Sequence, residues 1–276
     1  MEKASIGRRT GAGRALLLVL AALALVAALV GQARNPLVSG AERYAATVAA
    51  SAGGVYLTLR SLNAFLSTAQ EVEVGGSMVV SGTAQPLKAL EPVDDTIERV
   101  AAMVFVVMVA TGILSVAMGP AAAVGFVMLA AAAGVAALGR QGAMRLIAWR
   151  LGLYGAVLAL ALPGAFLAAS ALSDRMTDAA MTRHQAVLAE ITAQVEPAIA
   201  QPEDSASLWG RMAELRDGME RYTTMAGNLY ERADDLVASL IGILSVFVFR
   251  LLVLPALILG GVLVGVRAMS AALAGR

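Results

Sequence analysis

The sequence predicts an all-α fold: a polytopic transmembrane helical bundle that carries an extramembrane antiparallel helical hairpin of coiled-coil type. Three observations predict it. Of 276 residues, 59% are hydrophobic and only 15% are charged, against roughly 45–50% and about 25% in soluble domains. The apolar residues are gathered into charge-free runs whose lengths cluster around the roughly 18–20 residues a helix needs to cross a hydrocarbon layer of about 30 Å. Between the last two runs lies an acidic segment whose apolar residues recur at alternating steps of three and four, the spacing of a helical seam. The strict alternation that barrel strands need is absent.

Residues 1–33 form the first element. Lys3, Arg8, Arg9 and Arg14 precede an apolar run at 15–30. This reads as an uncleaved anchor, while Gly31 and Ala33 also fit a cleaved signal segment. Either way the basic residues stay in the cytoplasm by the positive-inside rule.

Residues 34–99 follow. Within 44–66, Val55, Leu59, Leu62 and Leu66 share one helical stripe. Residues 71–74 and 78–81 flank Gly75, Gly76 and Ser77, the arrangement of a short β-hairpin. Pro92, Asp94, Asp95 and Glu98 then open a helix, with carboxylates at its positive end.

Residues 100–172 contain runs at 101–118, 121–138 and 151–172. Gly119 and Pro120 divide the first two and predict a tight helical hairpin there. The second run is dense in Ala and Gly, which suits close helix contact. Trp149 and Arg150 mark the start of the third as interfacial anchors.

Residues 173–235 carry 12 acidic and 6 basic side chains, a net charge of −6. Met181, His184, Leu188, Ile191 and Val195 form one seam. Pro197 and Pro202 break it, and 201–207 is read as the turn. On the return arm Leu208, Met212, Leu215, Met219, Tyr222, Ala226, Leu229, Ala233 and Leu236 continue the 4-3 steps, the pattern of a coiled coil. Residues 236–276 hold the last run, 236–266, with Arg250 and Pro255 inside it.

These elements conflict over topology. Arg140, Arg145 and Arg150 cluster in a short loop and belong in the cytoplasm with the N-terminus. Five spans place three crossings between these points. An even count, with 44–66 as a sixth span carrying Arg60, satisfies every loop. The alternatives let 101–138 enter and leave by one face, or leave the arginines outside. Whenever the arginines are inside, the acidic hairpin is extracytoplasmic.

Little chemistry is encoded. A net charge of +1 and the lack of a basic stripe with aromatics speak against nucleic acid. There is no cysteine and a single histidine, His184, so a thiolate metal site, a Cys nucleophile and a histidine-rich site are excluded. No carboxylate occurs between Arg99 and Asp174, which disfavours a proton relay in those spans. The expectation is no enzyme, no cofactor and no metal. Asp94, Asp95 and Glu98 read as helix-start carboxylates before they read as a cation site. Met181, Met212 and Met219 read as seam packing.

The candidate functional residues are few. Arg250 lies inside an apolar run, and Pro255 deprives the Leu251 carbonyl of its helical donor. Counted from the turn, Arg250 falls opposite about residue 156. Arg60 is the second intramembrane candidate. Trp209, with Leu208 and Met212, is the candidate partner contact near the hairpin tip. Gly261 and Gly265 form a small-residue pair of low specificity.

Arg60-Ser61-Leu62-Asn63-Ala64, Glu71-Val72, and Leu90-Glu91-Pro92 with Asp95, Ile97, Glu98 and Arg99 resemble a pattern in an uncharacterised family of predicted bacterial inner-membrane proteins. The final charged helix running into a proline-containing apolar segment is similar too. The resemblance implies a bacterial inner-membrane location and no activity. The expectation is a non-enzymatic inner-membrane protein in contact with the lipid bilayer. Its hairpin binds a protein partner or a second copy. The alternative is a channel or transport subunit with an anion or lipid contact near Arg250.

Overall fold

The computed structural model describes residues 2–30, 35–77, 91–138, 142–199, 224–225 and 227–274, and the side-chain surroundings of 13–29, 35–68, 91–138, 143–194, 224–225 and 227–268. Its elements are α1 (Glu2–Val30), α2 (Pro36–Ser77), α3 (Glu91–Leu138), α4 (Gly142–Ala156), the π turn π1 (Val157–Ala161), α5 (Leu162–Ile199), α6 (Ala233–Val248), the π turn π2 (Phe249–Val253) and α7 (Leu254–Ala274). Among the described residues every element is helical. Three stretches are long and apolar enough to cross a membrane: Glu91–Leu138, Ala143–Gln194 and Ala233–Ala268. A shorter apolar helix runs over Gly13–Leu29. By length and composition these are the helices of a multi-pass membrane protein.

Several expectations are corrected. Residues 101–118 and 121–138 are not a hairpin. They are one helix, α3, 48 residues long with Pro120 inside it. An interior proline costs a helix about 3 kcal/mol. Breaking the helix in lipid would expose several backbone groups with no water to satisfy them, so the continuous helix wins.

The short β-hairpin is absent as well. Residues 71–77 extend α2 to Ser77, and 78–81 lie outside the described residues. Adding a residue to a formed helix gains a hydrogen bond without a new nucleation cost, which outweighs the alternation at 71–74. Pro197 does not end α5, which continues to Ile199. Finally, α2 is a helix but is not among those long and apolar enough to cross a membrane.

Helix α2 starts where its sequence provides a cap. The Asn35 Oδ1 accepts the Leu37 N–H at 3.0 Å, and Pro36 occupies the first helical position, where no N–H is needed. The stripe read from the sequence is buried: Val55, Leu59, Leu62 and Leu66 are each 5% exposed or less.

The chain divides into two compact units. Unit 1 comprises Met1–Val48, Ala110–Asp174 and Arg250–Arg276; unit 2 comprises Ala49–Val109 and Arg175–Phe249. In unit 1, Gly125 of α3 meets Gly155 of α4 backbone to backbone. A Cβ on Gly125 would come within 2.9 Å of the Gly155 carbonyl oxygen, and one on Gly155 within 2.8 Å of the Gly125 oxygen. Only glycine permits this approach.

In unit 2 the core is built from large side chains: Phe65, Ile97, Ile191, Leu240, Ile243 and Phe247 are among those fully buried. On α5, Met181, Leu188 and Ile191 are buried and His184 is half-buried. Leu229 and Leu236 of the return arm are buried too. That arm is not one straight helix, because Arg232 leaves helical geometry with φ −105° and ψ 11° just before α6.

Candidate functional site

The site is built around the Arg250 carbonyl, in a π turn that precedes a proline. In a π turn each carbonyl pairs with the N–H five residues on. For Arg250, in π2, that residue is Pro255, which has no N–H. The same arrangement occurs at π1, where Leu158 is five residues before Pro163. Both prolines are buried, and each lies two residues beyond its π turn. The helices thus accommodate a buried proline by a local change of hydrogen-bond register.

At Arg250 the donor is Tyr44 of α2, whose hydroxyl donates to the Arg250 carbonyl at 3.1 Å. Tyr44 is 7% exposed and is also hydrogen-bonded to Ser173 of α5. Ser173 is fully buried, and its Oγ lies 3.2 Å from the Ser170 carbonyl oxygen. Burial pushes the Tyr44 hydroxyl above its ordinary value, while the Ser173 hydrogen bond and the Arg250 charge pull it back. The hydroxyl therefore keeps its proton and remains a donor at neutral pH.

The guanidinium of Arg250 faces Asp174, with Nη2 4.0 Å from Oδ1. The arginine side chain is 14% exposed and the aspartate 63%. At that length and exposure the pair is weak on its own. Its role is to set the arginine at the charged end of the α5 apolar stretch. This corrects the expectation that Arg250 faces about residue 156. In unit 1 Arg250 thus meets Asp174; in unit 2 α5 and α6 meet in antiparallel order, 184 with 242 and 190 with 232. The turn read at 201–207, from which that count was made, lies outside the described residues. The carbonyl that the Tyr44 hydroxyl reaches is that of Arg250, next to the Leu251 carbonyl singled out in the sequence.

The other candidates do not join this cluster. Arg60 belongs to unit 2, exposed, with its guanidinium 5.9 Å from the Tyr56 ring centroid; Tyr56 in turn packs on Phe105 at 5.4 Å. Trp209, Leu208 and Met212 lie outside the described residues. Gly261 and Gly265 face open space. The His184 ring lies against Gly242, where any Cβ would overlap it, so it packs on the α6 backbone. Asp95 pairs loosely with Arg99 at 3.9 Å. No group of three potential metal ligands occurs among the described residues.

Sequence reasoning missed Tyr44, Ser173 and Asp174. The missing N–H of Pro255 signals an orphan acceptor nearby, but nothing in the sequence says which hydroxyl will reach it. The arrangement joins α2, α5 and the π2 segment through one tyrosine; it holds no nucleophile–base pair. What the fold defines is thus a multi-pass helical membrane protein with a polar junction at Arg250. No protein-family model, no curated protein and no solved structure matches the chain.

Proposed function

We propose that the chain is a non-enzymatic protein of the bacterial inner membrane that holds an extracytoplasmic helical module for binding a protein partner or a second copy. Support comes first from topology. With α3 continuous, α3, α4–α5 and α6–α7 are long and apolar enough to cross, and we read the shorter apolar helix α1 as a fourth crossing. Lys3, Arg8, Arg9 and Arg14, then Arg140, Arg145 and Arg150, then Arg267 and Arg276 all fall on one side without a sixth span, and the positive-inside rule makes that side cytoplasmic. The segments of unit 2 then fall outside. The observation that carries the reading is the character of the two cores: unit 2 buries large apolar side chains, as a domain in water does, while unit 1 turns them outward.

The proposed module includes the segment between α5 and α6. The side chain of Arg232 donates to Glu190 across its two arms at 2.8 Å. Trp209, Leu208 and Met212 are the proposed contact residues, because a Trp with apolar neighbours is a common anchor of an interface. The other reading, a transport subunit passing Arg250, has less support: the guanidinium is mostly buried beside Asp174. Loss of flux in Arg250→Leu with intact assembly would favour it.

The chain has no cysteine, which makes the test direct. Ser81→Cys, Ala206→Cys and Gln141→Cys variants are treated in intact cells with a membrane-impermeant thiol reagent. Labelling at 81 and 206, with 141 reached only after lysis, is expected. Protection of 81 alongside labelling of 206 would restore the six-span topology. Protection of 206 would place the module in the cytoplasm and end the proposal. A photocrosslinker at position 209 should then yield a discrete adduct; none, in cells where 206 is labelled, would contradict the contact assignment.

A further inference from the structure

Unit 1 contains a groove of about 840 Å³ between α1, α3 and α4, inside the roughly 300–1,000 Å³ usual for small-molecule sites. It exists because α3 presents Ala132, Ala133 and Ala136 to it, side chains too small to fill the space between neighbouring helices. Leu17 and Leu20 of α1 form the facing wall. Arg145 is the one charged residue of the lining, and Trp149, one helical turn further on, lies beside it. No acidic residue occurs in the sequence between Arg99 and Asp174, so nothing along that stretch competes for the guanidinium. A second groove, of about 670 Å³, shares Trp149 and runs along α7, but its lining has no charged residue.

We infer that the Arg145 groove binds an anionic phospholipid of the cytoplasmic leaflet, with one acyl chain against the alanine face of α3 and the headgroup phosphate on Arg145. This rests on the four-crossing topology, which puts Arg145 at the cytoplasmic interface. The apolar walls match a lipid chain. A cation at one end matches a phosphate, and Trp149 sits where an amphipathic ring meets the headgroup region. The uncharged second groove offers the same apolar surface without selectivity for charge. Arg145 therefore separates a specific lipid site from a generic one.

The chain's two tryptophans, Trp149 and Trp209, supply the readout. In a full-length Trp209→Phe background, Trp149 alone reports. The protein is reconstituted in vesicles containing either phosphatidylglycerol or phosphatidylcholine brominated on the acyl chains, at equal mole fraction. Quenching should show a preference for phosphatidylglycerol of about fivefold in relative association, the effect of one interfacial cation on an anionic lipid. Arg145→Gln should bring that ratio to one, and Arg145→Lys should keep most of it. Ala136→Phe should lower quenching by filling the groove. Arg145 is exposed, so its replacement leaves packing intact even if the Ala136 variant fails to fold. Equal quenching by both lipids, or a preference that survives Arg145→Gln, would overturn the lipid assignment while leaving unit 1 in the membrane. Absence of quenching by either lipid would overturn the membrane reading and the assignment together.

Discussion

Ten of the eleven largest fully buried side chains lie in unit 2; in unit 1 only Met118 belongs with them. The exposed side chains reverse this. Of 36 large apolar residues exposed among the described ones, 27 belong to unit 1. Charge divides the same way. The segments of unit 1 carry 3 acidic and 12 basic residues, a net +9, and those of unit 2 carry 17 acidic and 9 basic, a net −8. Water rewards burying a Leu or Phe by about 1.5–3 kcal/mol. Lipid gives no such reward, so helices associate there through small residues and close backbones. Unit 1 accordingly buries Ala41, Ala45, Ala122, Ala159, Ala165 and Ala169. On the topology proposed above, the difference between the units is a difference of solvent, written in side-chain size.

That comparison can be broken most easily at the core of unit 2. Phe247 is 1% exposed, and Phe247→Ala should destabilise by about 3–5 kcal/mol. Leu257, 65% exposed in unit 1, should change stability by only about 0.5 kcal/mol when replaced by Ala. Denaturant unfolding of the two variants in the same detergent checks both; equal losses would mean that the units share one kind of core.

The next effect tests the backbone contact of unit 1. A Cβ at Gly125 would press on the backbone of Ala159 and Gly155, so Gly125→Ala should cost about 1–3 kcal/mol as an overpacked site. Gly134 has nothing within 4 Å of its Cβ position, and Gly134→Ala should be neutral or stabilising by about 0.5–1 kcal/mol. Thermal unfolding of the pair decides whether glycine is needed for contact or only tolerated.

A smaller effect sharpens the account of the Arg250 junction. Tyr44→Phe should cost about 1 kcal/mol, the value of one buried hydrogen bond. With Pro255→Ala the carbonyl regains a helical donor, so the Tyr44 hydroxyl should matter less. A double-mutant cycle measures this as a coupling; strict additivity would show that the proline does not create the vacancy. The smallest effect belongs to Glu190 and Arg232, whose side chains are 61% and 26% exposed. Breaking that pair with Arg232→Ala should cost about 0.2–1 kcal/mol and fade with added salt.

Much of this organisation could be read from residue pattern. The long apolar runs, the stripe of Val55, Leu59, Leu62 and Leu66, and the seam of Met181, Leu188 and Ile191 all follow from helical periodicity, which is local. What failed was punctuation. Pro120, Pro197 and the Gly75-Gly76 pair read as stops, yet α3, α5 and α2 run through them, because the cost of a break depends on the surrounding solvent and on the helix already formed. The junction at Arg250 was half legible. Its proline announced a missing donor, but the π turn that includes Arg250 had no signal in the residue pattern. Its partners Tyr44 and Ser173 come from parts of the chain with no sequence signal linking them. The corrected pairing of Arg250 with Asp174 also explains why the run 236–266 is too long for one span: its first part, through Phe247, is core of unit 2.

The most direct test compares the surroundings of one exposed residue from each unit. Spin labels are placed singly at Leu257→Cys and Ala189→Cys in the reconstituted chain, and collisions with dissolved oxygen and with a water-soluble nickel chelate are measured. The account predicts that the label at 257 meets oxygen and is shielded from nickel, while the label at 189 meets nickel. Equal nickel accessibility at the two positions would contradict it, since one solvent would then surround both units.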